Sequence, residues 1–147
     1  MNTYTRPNPY QEVAVQTSSP AKLVVMLYEG AIRFLNQSIA AIHAKDLDTK
    51  RRSIDRAVAV IQHLQSTLDM TQGKEVAAEL DKLYTYITSR ILHASGKLEI
   101  APLEEAIKLL TVLLSGWEEV ARKQAEHAVP ASLLAQQSLS GRFVVRA

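Results

Sequence analysis

The sequence predicts an all-α protein: an antiparallel up-down-up-down four-helix bundle with an extended N-terminal strap and a short C-terminal tail. Two observations carry this prediction. The 147 residues include only 5 Gly and 5 Pro, so breaker residues are few and the stretches between them are long. Within those stretches, apolar residues recur with the spacing of one helix face. A chain of this length can bury one hydrophobic core, so a single bundle domain is expected.

Capping and breaker residues predict where each helix begins. Ser19 followed by Pro20 is typical of an N-cap and a first helical residue. Asp48 is predicted to cap the second helix, Gly73 to precede the third and Pro102 to open the fourth. Helices of this length, joined by loops of a few residues, pack as an antiparallel bundle. The four predicted helices span residues 20–44, 49–70, 74–94 and 102–126.

The apolar faces of the first and fourth helices are wider than a single core stripe. At about 100° per residue they span roughly 200° and 180°, against about 100° for the third helix. Part of this excess serves packing against two neighbouring helices, and the rest predicts exposed strips that bind a partner helix. Burial within the bundle or in a homodimer would explain the same arcs. The candidate partner-binding positions are Val25, Tyr28, Ile32 and Ile39 on the first helix and Leu109, Leu113 and Val120 on the fourth.

Both ends of the chain are predicted to lie outside the bundle. The strap, bundle and tail are expected at residues 1–16, 17–127 and 128–147. Pro7 and Pro9 prevent an early helix, so the strap is predicted to be extended. Tyr10 and Val15 are its candidate partner-binding residues, which either anchor the strap on the bundle or take part in recognition. The tail is either a frayed end or an apolar segment that docks on the bundle.

Composition and charge exclude several classes of function. Acidic and basic residues nearly balance, 15 against 17, so no nucleic acid-binding surface is expected. The basic cluster at Lys50, Arg51, Arg52 and Arg56 is interpreted as a solvated helix face. The absence of cysteine points to a reducing compartment. Because neither a membrane-spanning apolar run nor a secretory signal is found, we expect a cytoplasmic protein without membrane insertion.

Sequence patterns for catalysis, cofactors and metals are also missing. None of the 4 histidines stands at the Glu-x-x-His spacing of di-iron bundles. Neither a phosphate-binding glycine loop nor a Gly-x-Ser-x-Gly nucleophile elbow occurs. We therefore expect a protein that is not an enzyme and has no catalytic residue, no metal site and no cofactor.

Three blocks of the sequence resemble the FliS family of flagellar protein export chaperones, in the family's order and spacing. They are YQEVAVQTSSPAKLVVMLYEGAIRFL at residues 10–35, LDMTQGKEVAAELDKLYTYITSRIL at 68–92 and PLEEAIKLLTVLLSGW at 102–117. The most specific combination is T-x-S-P-x-K-L-x-x-M-L-Y-x-G-A-I with L-D-x-L-Y-x-Y and a late tryptophan. Glu29, Gln72 and Ser95 stand where the family usually has Asp, Gly and Asn.

The resemblance implies a cytoplasmic four-helix chaperone that binds newly made flagellin. It would hold the disordered C-terminal region of flagellin as helical pieces, prevent premature polymerisation and deliver it to the flagellar type III export gate. The implied partners are thus the flagellin C-terminal region and the export gate. Whether other flagellar regulators share the groove stays open, as does the choice between a monomer and a weak homodimer. The alternative is a non-catalytic helical adaptor or a homodimeric regulatory module whose apolar faces cover each other.

Overall fold

A computed structural model describes residues 19–127, which form four helices and no strand. The helices are α1 (Pro20–His43), α2 (Leu47–Ser66), α3 (Met70–Lys97) and α4 (Ala101–His127). The predicted all-α class with four helices is confirmed. The predicted strap and tail, with Tyr10 and Val15, lie outside the described residues.

Each helix packs against two neighbours, because α1 and α3 both contact α2 and α4. Hydrogen bonds near the helix ends show that α1 runs antiparallel to α4 and that α2 runs antiparallel to α3. The Ala21 amide at the start of α1 donates to Gln124 Oε1 near the end of α4 over 3.2 Å. Lys50 Nζ near the start of α2 donates to the Ser95 carbonyl near the end of α3 over 3.1 Å. This contact buries Lys50, so the expectation that it belongs to a solvated face is wrong. α1 therefore lies diagonally opposite α3, and α2 lies diagonally opposite α4.

A single hydrophobic core fills the space between the helices. Two tyrosines, Tyr28 of α1 and Tyr84 of α3, are its largest fully buried side chains. Branched aliphatic residues and alanines at helical spacing supply the rest, as the apolar periodicity predicts. These other buried members are Ala31, Leu35, Ile54, Ala57, Ile61, Leu64, Ile87, Ile91, Ala94, Leu103, Ala106 and Leu110.

Side-chain caps set the starts of α1 and α2. Ser19 Oγ accepts the Lys22 amide at 3.2 Å, in agreement with the predicted cap. The prediction that Asp48 caps the second helix is wrong. Asp46 is the cap, because its carboxylate accepts both the Thr49 amide at 3.1 Å and the Thr49 hydroxyl at 2.7 Å. The helix accordingly begins earlier than predicted, at residue 47 rather than 49.

The third helix is bent near its start. Asp69 caps a first turn, with its carboxylate accepting two backbone amides of that turn. The backbone leaves the helical conformation at Lys74, where φ is 47° and ψ is −121°. The regular part of α3 therefore begins just after the predicted start at residue 74. It also continues past the predicted end at residue 94 to Lys97, and stops where Leu98 takes a left-handed conformation with φ 57°.

The bend leaves no room for a side chain at Gly73, since a Cβ there would lie 2.7 Å from the Ala77 Cβ. We expect Gly73→Ala to lower the free energy of unfolding by about 1–3 kcal/mol, the usual cost of overpacking. Gly116→Ala is the matched control, because nothing lies within 4 Å of a Cβ at that position. Alanine's helix preference should there raise stability by up to about 1 kcal/mol. Urea unfolding followed by far-UV circular dichroism measures both, and equal stability of the two variants would contradict this account of the bend.

Candidate functional site

The wide apolar face of α1 is largely buried inside the bundle. Val25 and Tyr28 are 2% and 0% exposed, so the expectation that they lie on an exposed strip is wrong. Ile32 and Ile39 are partly buried and pack against the core. The physical reason is that α1 packs closely against both α2 and α4, and each neighbour takes part of the arc. Contact between these four residues and a partner remains a prediction.

The wide apolar face of α4 is only partly covered. Leu109 and Leu113 are partly buried and pack against the core. Val112 and Val120, by contrast, are 63% and 41% exposed. Of the three candidate positions on α4, only Val120 is therefore exposed, and Val112 is an exposed apolar residue that was not predicted.

An apolar groove of about 580 Å³ lies between α3 and α4. We call it the α3/α4 groove. Val76 is 68% exposed there, although its spacing places it in the core stripe of the third helix. The stripe stays partly uncovered because α3 packs less closely against its neighbours than α1 does. The apolar lining consists of Val76, Leu80, Leu83 and Tyr86 from α3 and Leu113 from α4, and the exposed side chains of Glu75, Glu79 and Lys82 complete it.

A second apolar pocket of about 420 Å³ adjoins the groove near the bend of α3; we call it the end pocket. The two share Val76 and Leu80 in their linings. Trp117 of α4 also lines the end pocket and packs against the core, which agrees with its predicted core position. Groove and pocket together form an extended apolar surface along the first half of α3.

A polar bridge stands at the opposite end of the groove. Tyr86 Oη donates to Glu105 Oε2 over 2.5 Å, and Arg90 Nε donates to Glu105 Oε1 over 2.8 Å. The bond from Tyr86, and after it the bond from Arg90, lowers the pKa of the Glu105 carboxyl. The same carboxylate raises the pKa of Tyr86. At neutral pH the bridge therefore joins an ionised carboxylate on α4 to a protonated hydroxyl on α3.

Tyr28 and Tyr84 join the diagonal helices α1 and α3 inside the core. Their hydroxyl oxygens lie 2.5 Å apart, and either can donate. The ring centroids are 6.4 Å apart with the planes tilted by 54°. Burial raises the pKa of both hydroxyls, and the bond to Tyr84 adds to the rise at Tyr28. Tyr28 is thus a core residue, and its hydroxyl is the hydrogen-bond partner of the buried Tyr84 hydroxyl.

The predicted site residues do not gather at one place in the described part of the chain. Leu113 lines the α3/α4 groove, whereas Val25 lines a separate cavity between α1 and α4 that also contains charged side chains. Sequence reasoning missed the groove residues of α3. Tyr86 carried a usable signal, since it is an aromatic residue outside the apolar stripe with Arg90 one turn later on the same face. The apolar periodicity of the third helix gave no indication that Val76 is exposed.

Two further properties concern residues 19–127. Within that range, no group of three or more His, Asp or Glu side chains could hold a metal ion. The four helices in that range also lack a continuous apolar stretch of the length that a bilayer span requires.

An all-helical bundle with an open apolar groove is typical of a protein-binding helical module. Residues 1–124 match the family model described as Flagellar protein FliS. The flagellar secretion chaperone FliS of Campylobacter jejuni is 34% identical over 113 residues, which cover 77% of this chain and 88% of that protein. The FliS of Vibrio cholerae is 31% identical over 115 residues, or 76% and 85% of the two chains. The FliSB of Pseudomonas aeruginosa is 30% identical over 115 residues, or 76% and 91%. The chain belongs to the FliS family of flagellar secretion chaperones.

Because Tyr28 and Tyr84 bond to each other, the losses in unfolding free energy caused by replacing each of them should not be additive. Tyr28→Phe leaves the Tyr84 hydroxyl buried without that partner, and Tyr84→Phe does the reverse, so each should cost about 1–2 kcal/mol. The double Phe variant should cost less than the sum, because neither hydroxyl remains. Urea unfolding of the four proteins measures this coupling, and strictly additive losses would show that the bond does not contribute.

The same pair predicts sensitivity to alkali. Folding holds the pKa of both hydroxyls above the ordinary value of 10.0, so it favours their neutral forms. This contribution is complete below the unfolded pKa and is lost as the pH rises above it, where unfolded tyrosines ionise. Thermal melts at about pH 9 to 11 should show a steeper fall of Tm in the wild type than in the double Phe variant. Parallel curves would contradict the prediction.

Proposed function

We propose that this protein is a non-catalytic cytoplasmic chaperone that binds the disordered C-terminal region of flagellin and delivers it to the flagellar type III export gate. The observation that carries the proposal is an open apolar groove on a member of a family of flagellar secretion chaperones. Covering the apolar face of the flagellin segment would prevent its premature polymerisation.

The groove suits an amphipathic helix. Its lining on α3 extends from Val76 to Tyr86, ~15 Å at the rise of an α-helix, which corresponds to about three helical turns. A client helix would place its apolar face on these residues and on Leu113. The exposed side chains of Glu75 and Glu79 would stay at the rim, where they contact solvent and the polar face of the client. Apolar burial would supply most of the binding free energy.

Release is part of the proposed function. A disordered segment loses conformational entropy when it becomes helical, and this cost offsets several kcal/mol of the interaction. The net affinity is therefore moderate for the area buried. A client that folds only on the chaperone needs no separate unfolding step when it leaves. Both properties are useful for a protein that passes its client to an export apparatus.

The proposal is tested by a charge placed in the groove. Val76→Asp alters an exposed position, so the bundle should still fold. We expect it to raise the Kd of a peptide from the C-terminal region of the same bacterium's flagellin by about ten-fold or more, measured by isothermal titration calorimetry. Leu92→Asp is the matched control, because Leu92 lies on the same helix, is 52% exposed and does not line the groove. Its Kd should change by less than about two-fold.

The other outcomes separate the alternatives. Failure of the wild-type protein to bind flagellin peptides covering the whole C-terminal region would refute the proposed function. Equal weakening by both variants would place the client elsewhere on the bundle. A wild-type dimer that Val76→Asp dissociates, seen by size-exclusion chromatography with light scattering and without peptide binding, would support the homodimeric module instead. Far-UV circular dichroism checks that both variants keep their helices.

A further inference from the structure

We propose that Tyr86 closes one end of the α3/α4 groove and thereby limits the length of the helix that the groove accepts. The inference rests on the proposed function, in which a client helix lies in this groove. It assigns to Tyr86 the role of a specificity-determining residue.

The Tyr86 side chain reaches from one wall of the groove to the other. It is 45% exposed and lines the groove from α3. Its hydroxyl nevertheless binds Glu105 on α4, with the two oxygens 2.5 Å apart. A tyrosine that is anchored on one helix and bonded to the next must cross the space between them. A client helix that follows this space from the end pocket therefore meets the Tyr86 ring.

Arg90 holds the bridge in one geometry. It lies one turn after Tyr86 on α3 and donates to the other oxygen of the Glu105 carboxylate over 2.8 Å. Both carboxylate oxygens are thus engaged by α3, each by a separate donor. Bonds to an ionised carboxylate are stronger than bonds between neutral groups. A client that pushed the ring aside would have to break a charge-assisted bond, so the ring acts as a stop.

On α4, a further apolar residue lies between Leu113 and the Glu105 end of the bridge. Leu109 lies one helical turn from Leu113 in the direction of Glu105, and it is only partly buried. A longer client helix would gain contact with Leu109 if the ring were absent. The structure therefore predicts that affinity rises with client length up to about three turns and then levels off.

A series of peptides of increasing length, called the ladder below, tests this limit on the length of the bound helix. The starting point is the shortest fragment of the flagellin C-terminal region that binds the wild-type protein with full affinity. One designed helical turn containing a leucine is then added at either end. For the wild type we expect the Kd to change by less than about two-fold at the end that faces Tyr86. For Tyr86→Ala the same addition should lower the Kd by about five-fold, because the added leucine can reach Leu109.

Two further variants test the bridge itself. Glu105→Ala removes the acceptor and keeps the tyrosine ring, and Tyr86→Phe keeps the ring and removes the donor. Both should behave like Tyr86→Ala in the ladder, since the unbonded ring can move aside. Leu92→Ala is the control and should keep the wild-type limit. A wild-type limit in Tyr86→Phe and Glu105→Ala would show that the bond does not hold the ring.

The result distinguishes this inference from the proposed function. Suppose that the wild type binds the starting peptide and binds it more tightly after a turn is added at either end. In that case, or if the added turn does not lower the Kd of Tyr86→Ala, the role proposed for Tyr86 is wrong and the client-binding function stands. If no peptide of the flagellin C-terminal region binds the wild type, the proposed function itself fails.

Discussion

The hydrogen bond between Tyr28 and Tyr84 fixes the relation between the two diagonal helices of the bundle. Each of α1 and α3 packs against α2 and α4, whereas the tyrosine pair joins α1 to α3 directly through the core. Two buried hydroxyls without this bond would each cost about 1–3 kcal/mol, so the pair strongly favours one register of α3 against α1. The positions of the α3 side chains after the bend at Lys74 follow from that register.

The groove depends on this placement of α3. Tyr84 directs one face of the helix into the core, and Leu83 and Tyr86, its near neighbours in sequence, line the groove beside it. Because α3 packs less closely than α1, the part of its stripe around Val76 and Leu80 is not sealed by α4. The buried core, with the tyrosine bond at its centre, holds the four helices together, so an apolar edge of α3 can stay open without loss of the fold.

Much of the fold could be predicted from the sequence, because it depends on local rules. Helical periodicity and the Ser19 cap predicted four helices and the start of the first. The cap of the second helix was misplaced because Asp46 and Asp48 are both suitable by residue type, and the Thr49 contacts that favour Asp46 exist only in the folded turn. The burial of Lys50 depends on the Ser95 carbonyl of another helix, which no local pattern reports.

The groove was harder to predict than the fold. The width of an apolar arc shows how much surface a helix can bury, but not how closely its neighbours approach. The wide apolar arc of α1 is buried because α2 and α4 both pack closely against it. The narrow apolar arc of α3 is partly exposed because the same two helices pack less closely against α3. The bridge from Tyr86 to Glu105 likewise joins residues on different helices, and spacing within either helix does not show their pairing. Residue pattern therefore predicted exposed apolar surface on the bundle, and the structure places such surface along α3 and α4 rather than on α1. Partner binding by the predicted residues stays a prediction.

The two kinds of contact in the proposed site have different physical roles. Apolar residues such as Val76 and Leu113 attract any helix with a suitable face, because hydrophobic burial has little directional preference. The bridge formed by Tyr86, Glu105 and Arg90 is directional, since each bond requires a donor and an acceptor in a set geometry. A surface made only of the first kind would bind apolar helices of many lengths. In the proposed site, a fixed stop at one end would add selection by length to this hydrophobic attraction.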